Sequence, residues 1–221
     1  MPNLRYPCLV LDHDDTTVNS TATIHYPCFC EYMEKYFPHV RMSLEEYFEN
    51  NFDPGVEAMF LDIVGMTPEQ MRDEEKYWSR YVRNHVPTAY PGIREILTEQ
   101  KERGGKICVV SHSYSEYIRR DYRENQLPEP DMIFGWEEPK ERRKPNPWPL
   151  KKIMETWSFR PEELLVVDDL KPGFDMARAV GVPFAAAGWA NDIPGIERFM
   201  RAHCDRYFKT VGELKEYLFD E

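Results

Sequence analysis

The stretch Cys8-Leu9-Val10-Leu11-Asp12-His13-Asp14-Asp15-Thr16 decides how the rest of the chain is read. An unbroken apolar run without alternation describes a short strand buried on both faces, and the acidic cluster begins where that strand ends. The same pattern recurs downstream. Apolar runs at 107–110, 132–134, 164–167 and 183–187 are separated by helical periodicity. Leu150, Ile153, Met154 and Trp157 fall at offsets of a single helix face, and residues 91–103 form a second helical segment closed by Gly104-Gly105. Strand alternating with helix, joined by right-handed crossovers, predicts a doubly wound parallel sheet covered by helices on both sides.

Residues 18–85 interrupt the alternation. They carry repeated helix starts and no convincing strand, which predicts an inserted helical lobe between core segments 1–17 and 86–221. Ser43 with Glu46, and Thr67 with Gln70 followed by Pro68, have the spacing of capping boxes; Thr210 with Glu213 repeats it before the last helix. The crossings Val18-Asn19-Ser20 and Val86-Pro87-Thr88 suit hinges. The lobe's aromatic residues, Phe29, Tyr32, Phe37, Tyr47 and Phe60 among them, read as core at helical spacing.

Composition narrows the function. Asp and Glu number 39 against 28 Lys and Arg, a net charge of −11, and no basic stripe runs along the chain to track a phosphate backbone, so nucleic acid is not an expected partner. No apolar run approaches the roughly 20 residues that span a bilayer, and no apolar segment of signal-peptide type follows Met1-Pro2-Asn3-Leu4-Arg5. The five cysteines are odd in number and scattered, which points to reduced thiols and a cytoplasmic location. Cys8 and Cys108 lie inside apolar runs and read as small core side chains.

In open parallel sheets ligands bind beyond the carboxyl ends of the strands. Asp12 to Thr16 follow the first run, Ser111-His112-Ser113 the second and Asp168-Asp169 the fourth; Lys144-Pro145-Asn146-Pro147 precedes a helix. Carboxylates, a hydroxyl and an ammonium group therefore meet on one rim. Carboxylates so gathered repel each other unless a hard cation with oxygen ligands holds them, and Mg2+ suits a site with few protein ligands. A lysine and a hydroxyl beside it would neutralise a phosphoryl group. One aspartate is then left to attack phosphorus, and a second, two residues on, to move protons.

With these four segments in place, the chain resembles the haloacid dehalogenase superfamily, in particular its magnesium-dependent phosphatases with a helical cap inserted after the first strand. The resemblance runs over nearly the whole chain and implies a Rossmann-like α/β core with an α-helical cap domain. Leu9 to Thr16 is similar to the D-x-D-x-T motif, Val109 to Ser113 to the second motif, Lys144-Pro145 to the third, and Val167 to Gly173 to the paired-acid fourth. Tyr90-Pro91-Gly92-Ile93 is similar to the segment that re-enters the core. Carried over, Asp12 is nucleophile and metal ligand, and Asp14 is general acid/base and a ligand through its carbonyl. Thr16 supports the loop beside the substrate, Ser111 and the backbone N–H of His112 hold phosphoryl oxygens, Lys144 offsets charge, and Asp168 and Asp169 complete the Mg2+ site.

Asp15 stands where the family usually has glycine, Val167 where glycine is frequent and Asp168 where many relatives have glutamate. His13 reads as packing. Ser113 reads as a turn or cap hydroxyl, and His25, Arg41 and Arg72 in the lobe are candidates to select a leaving group. The expected activity is hydrolysis of a small phosphorylated metabolite through an aspartyl phosphate. The alternatives are a phosphomutase of the β-phosphoglucomutase type and a non-catalytic phosphometabolite sensor.

Overall fold

A computed structural model of the chain describes residues 4–220. It divides into two compact units, one formed by Met1–Asn19 with Thr88–Glu221 and the other by Ser20–Pro87. In the first unit, strands β1 (Cys8–Leu11), β2 (Val18–Asn19), β3 (Thr88–Ala89), β4 (Lys106–Val110), β5 (Met132–Phe134), β6 (Leu164–Asp168), β7 (Phe184–Ala187) and β8 (Arg206–Phe208) follow in chain order. Six of them build one sheet in the order β5-β4-β1-β6-β7-β8, with every pairing parallel. This is the doubly wound α/β architecture that the alternation predicts. The apolar runs are continuous because the central strands are buried on both faces: every residue of β1 and β6 is buried.

Helices α1 (Tyr26–Tyr36), α2 (Leu44–Phe52), α3 (Val56–Ala58) and α4 (Pro68–Arg83) belong to the second unit. In the first unit lie α5 (Ile93–Glu102), α6 (Ser115–Glu124), α7 (Trp148–Trp157), α8 (Lys171–Arg178), α9 (Pro194–His203) and α10 (Val211–Phe219). All three predicted capping boxes form. The side chains of Ser43, Thr67 and Thr210 each accept a backbone N–H three residues on, and Glu46, Gln70 and Glu213 reach back. Each satisfies helix-end donors that would otherwise have no partner, worth about 1 kcal/mol per cap.

Two features differ from the sequence reading. Val18 and Asn19 pair antiparallel with Ala89 and Thr88, so a two-residue ribbon stands where hinges are expected, and Val18 is completely buried. The edge strand β8 is not foreseen. Its residues pass from exposed Arg206 to buried Phe208, too short and mixed for periodicity to register.

Inside the helical unit, Phe29, Tyr32, Phe37, Tyr47 and Phe60 join Met33, Met59, Val64 and Met66 in one apolar cluster, whereas Tyr36 is half exposed. Glu74 of α4 is also buried, and that burial pushes its carboxyl up to about 8. Among the described residues no helix is long and apolar enough to cross a membrane.

Candidate active site

Register explains why the acids meet. Leu11 pairs with Val109 on one side and Val167 on the other, so β1 ends one residue short of β4 and β6, and Asp12, Ser111 and Asp168-Asp169 emerge within one step of each other on the same rim. The Asp12 N–H donates to the Val167 carbonyl at 2.9 Å and the Ser111 N–H to the Phe134 carbonyl at 3.0 Å, which extends the ladder one step into the site. Lys144 then spans the acids. Its Nζ lies 2.8 Å from Asp12 Oδ1 and 2.7 Å from Asp168 Oδ2, with all three side chains buried. The Leu170 N–H donates to Asp168 Oδ1 at 2.8 Å, so both Asp168 oxygens are engaged. Glycine at 173 is required by this packing, because a Cβ there would lie 2.1 Å from Asp168 Oδ2.

Carboxylate oxygens of Asp12, Asp168 and Asp169 lie within 4.8 Å of one another. Burial alone would weaken the Lys144 ammonium, but the Asp12 and Asp168 carboxylates more than compensate and hold it above the usual lysine range. Burial pushes Asp168 up to about 7, with Lys144 opposing and Asp12 adding to the rise. Asp169 is driven well above the carboxylate range, by burial first and then by Asp15, Asp168 and Asp12. One ammonium is thus too little positive charge for the acids around it. The donor set is entirely oxygen, which fits a hard divalent cation held by Asp12, Asp169 and nearby oxygens.

The loop after β1 is tightly pinned. Asp15 adopts φ 57°, the left-handed conformation that glycine favours and that aspartate tolerates better than most side chains. That is how this chain accommodates an acid at the position where the resemblance leads one to expect glycine. The Asp15 N–H donates to the Val18 carbonyl at 2.7 Å, and Asp15 itself is buried, adding charge beside Asp169. Thr16 is fully buried; its hydroxyl donates to Asp169 Oδ1 at 3.2 Å and its carbonyl accepts the Trp189 indole N–H at 3.2 Å. Thr17 Oγ1 donates to the Asp12 carbonyl at 2.7 Å. His13 faces inward, 3.0 Å from Asp121 and stacked on Tyr122, in keeping with a packing role.

Ser113 is the residue that sequence reasoning undervalued. Its buried hydroxyl donates to Asp14 Oδ2 at 2.5 Å, and its N–H donates to Ser111 Oγ at 3.1 Å, so it ties the first motif to the second. The available signal was positional: a hydroxyl on the same rim, two residues after Ser111, is a natural partner for the second aspartate. On the general acid/base role that the resemblance implies for Asp14, removing this bond misaligns the group that moves the proton. Ser113→Ala is expected to lower kcat about 10- to 100-fold on alkyl phosphates and much less on p-nitrophenyl phosphate, whose leaving group needs little protonation. Equal losses on both would remove Ser113 from the proton-transfer step.

Ser111 is buried and its hydroxyl, accepting the Ser113 N–H, keeps its own proton for a ligand. His112 Nε2 is 2.9 Å from the Lys144 carbonyl oxygen. Burial, then the Lys144 charge, lowers this imidazole to about 3, so the ring is neutral and Nε2–H donates to that carbonyl. His112 thereby fixes the backbone of Lys144. Within the helical unit, His25 Nδ1 accepts the Trp78 indole N–H at 3.0 Å, while Arg41 and Arg72 are exposed.

A parallel sheet whose strand ends gather buried aspartates around a lysine is a Rossmann-like α/β fold with a candidate active site on its carboxyl rim. The chain belongs to the haloacid dehalogenase-like hydrolase family, whose pattern matches residues 9–187, and it is accordingly a hydrolase. Phosphoglycolate phosphatase of Aquifex aeolicus is 27% identical to it over 190 residues, covering 82% of this chain and 84% of that protein. Pyrophosphatase PpaX of Bacillus cereus is 23% identical over 186 residues, covering 84% and 85%. The fold is shared with a protein of Bacteroides fragilis described as a haloacid dehalogenase-like hydrolase, at a TM-score of 0.79 and 24% identity, covering 95% of this chain and 99% of that one.

Proposed function

We propose that the chain is a magnesium-dependent phosphatase of small phosphorylated metabolites that works through an aspartyl phosphate on Asp12. The observation that carries this reading is the buried trio of Asp12, Lys144 and Asp168, with Asp169 close by and short of positive charge. Mg2+ held by Asp12, Asp169 and the Asp14 carbonyl would supply charge neutralisation for the phosphoryl oxygens. Asp168, whose oxygens are already engaged, would contribute through water.

An Asp12 carboxylate oxygen forms the new bond to phosphorus while the bond to the leaving oxygen breaks, and Asp14 gives that oxygen its proton. Asp14 then takes a proton from water as the water oxygen attacks the same phosphorus, which releases phosphate and restores the Asp12 carboxylate. Ser111 and the His112 N–H hold the equatorial oxygens. Lys144, beside Asp12, opposes the charge that builds on the phosphoryl group. The helical unit, residues 20–87, is taken as the cap domain, and a reducing cytoplasm suits the buried thiols of Cys8 and Cys108.

Phosphoglycolate and pyrophosphate, named in the relatives' activities, are the first compounds to test, with p-nitrophenyl phosphate as a generic substrate. Phosphate release is expected with Mg2+ and should fall at least about 100-fold after chelation, the cost of losing several kcal/mol of charge stabilisation. Restoring Mg2+ should restore turnover. Undiminished hydrolysis in excess chelator would overturn the metal-dependent reading.

A further inference from the structure

The third-motif segment contains a cation that the reaction above does not use. Arg143 precedes Lys144, and its guanidinium Cζ lies over the Trp136 ring, 3.9 Å from the centroid. Its Nε is buried and makes no hydrogen bond. The acids of the neighbouring loop are engaged elsewhere: Glu137 accepts the Ser115 N–H at 3.1 Å, and Glu138 lies 4.0 Å from Arg142. Arg142 also has its own aromatic partner, Trp148. Arg143 thus has an aromatic surface and, among the described residues, no carboxylate partner, in a protein of net charge −11.

Trp136 is built into the rim of the site. Its N–H donates to the Ser113 carbonyl at 2.9 Å, and its ring meets the His112 imidazole edge-on at 5.5 Å. The stacked guanidinium is therefore joined, through one indole ring, to the loop that carries Ser111, His112 and Ser113. Contact with the ring positions the guanidinium and leaves its N–H donors for a planar or tetrahedral anion, which arginine recognises with two parallel bonds. Burial first, then the Lys144 charge and, less strongly, that of Arg143 disfavour a protonated His112, which places the Arg143 charge within electrostatic reach of that loop.

From these contacts we propose that Arg143, held on Trp136, is the receptor for a second anionic group on the leaving portion of the substrate, a carboxylate or a second phosphate a few bonds from the phosphorus that is attacked. This rests on the phosphatase reading and deepens it. The preferred substrates are then dianionic at one end and charged again at the other, and neutral alkyl or aryl phosphates are poor ones because they leave the guanidinium without a partner.

The test compares kcat/KM for pyrophosphate and phosphoglycolate with kcat/KM for phenyl phosphate, in the intact protein and in Arg143→Gln. The ratio is expected to fall about 10- to 100-fold in the variant, chiefly through KM, as loss of one charge-assisted contact implies. Arg143→Lys, which keeps the charge and loses the flat fork, should fall between. Inhibition by methylenediphosphonate, an analogue that is not turned over, should weaken in Arg143→Gln relative to inhibition by inorganic phosphate. An unchanged substrate ratio together with unchanged relative inhibition overturns the assignment of Arg143 and leaves the phosphatase reading standing. Absence of hydrolysis of any phosphomonoester by the unmodified protein in Mg2+ would instead overturn the phosphatase reading itself.

Discussion

Asp12→Asn is expected to lose turnover by about 10^4-fold or more, the scale on which removal of a nucleophile acts. The substitution keeps the size and shape of the side chain at a site where it is buried against Lys144, so the loss reports chemistry and not collapse. An amide oxygen lacks the charge that makes the carboxylate attack phosphorus, and no neighbouring group substitutes: Asp168 has both oxygens engaged, Asp169 is occupied by Thr16, and Asp14 is held by Ser113. Stability is expected to move the other way. Removing one negative charge from the crowded cluster relieves repulsion on Asp168 and Asp169, so the midpoint of thermal unfolding in chelator should rise or hold in Asp12→Asn. Rapid-quench measurement of the unmodified protein should capture acid-stable-scale amounts of phosphate bound to the chain, and the variant none. Retained steady-state turnover in Asp12→Asn would sink the nucleophile assignment.

The sheet and the acid-bearing rim were legible because both depend on contiguous sequence. A strand buried on both faces must be apolar throughout, and the residue that follows it must leave the sheet, so the pattern at 8–12 and 164–169 carries both the element and the place of its acids. Parallel register then brings those ends to within one residue of each other without further information. What was not legible depends on side-chain conformation or on partners far apart in sequence. The Ser113 bond to Asp14 joins residues 99 positions apart and turns on a single rotamer. The Arg143 stack on Trp136 needs the third-motif segment folded back beside the loop after β5, which no periodicity encodes. The pairing of Val18-Asn19 with Thr88-Ala89 is equally silent, because two residues are too few to show alternation.

Lys144 is the position where stability and chemistry are most strongly joined, and Lys144→Met is expected to damage both. The ammonium is buried between two carboxylates that are themselves almost without solvent contact. Methionine fills most of the volume but leaves Asp12, Asp168 and Asp169 with no fixed counter-charge, and breaking a buried ion pair from one side costs about 3–5 kcal/mol. Thermal unfolding in chelator should show this as a drop of the order of 10 °C, since about 1 kcal/mol shifts the midpoint of a chain this size by roughly 2–4 °C. Two comparisons separate electrostatics from lost packing. Added Mg2+ should recover more of the midpoint in the variant than in the unmodified protein, because a divalent cation replaces part of the missing charge. The double variant Lys144→Met with Asp168→Asn should be more stable than Lys144→Met alone, because the carboxylate left unpaired is removed with its partner. On the proposed mechanism, in which Lys144 opposes the charge that develops during phosphoryl transfer, turnover is expected to stay lost in that double variant. A double variant no more stable than the single one would show that Lys144 acts here through packing, and that the strain on Asp168 and Asp169 is relieved by something other than its charge.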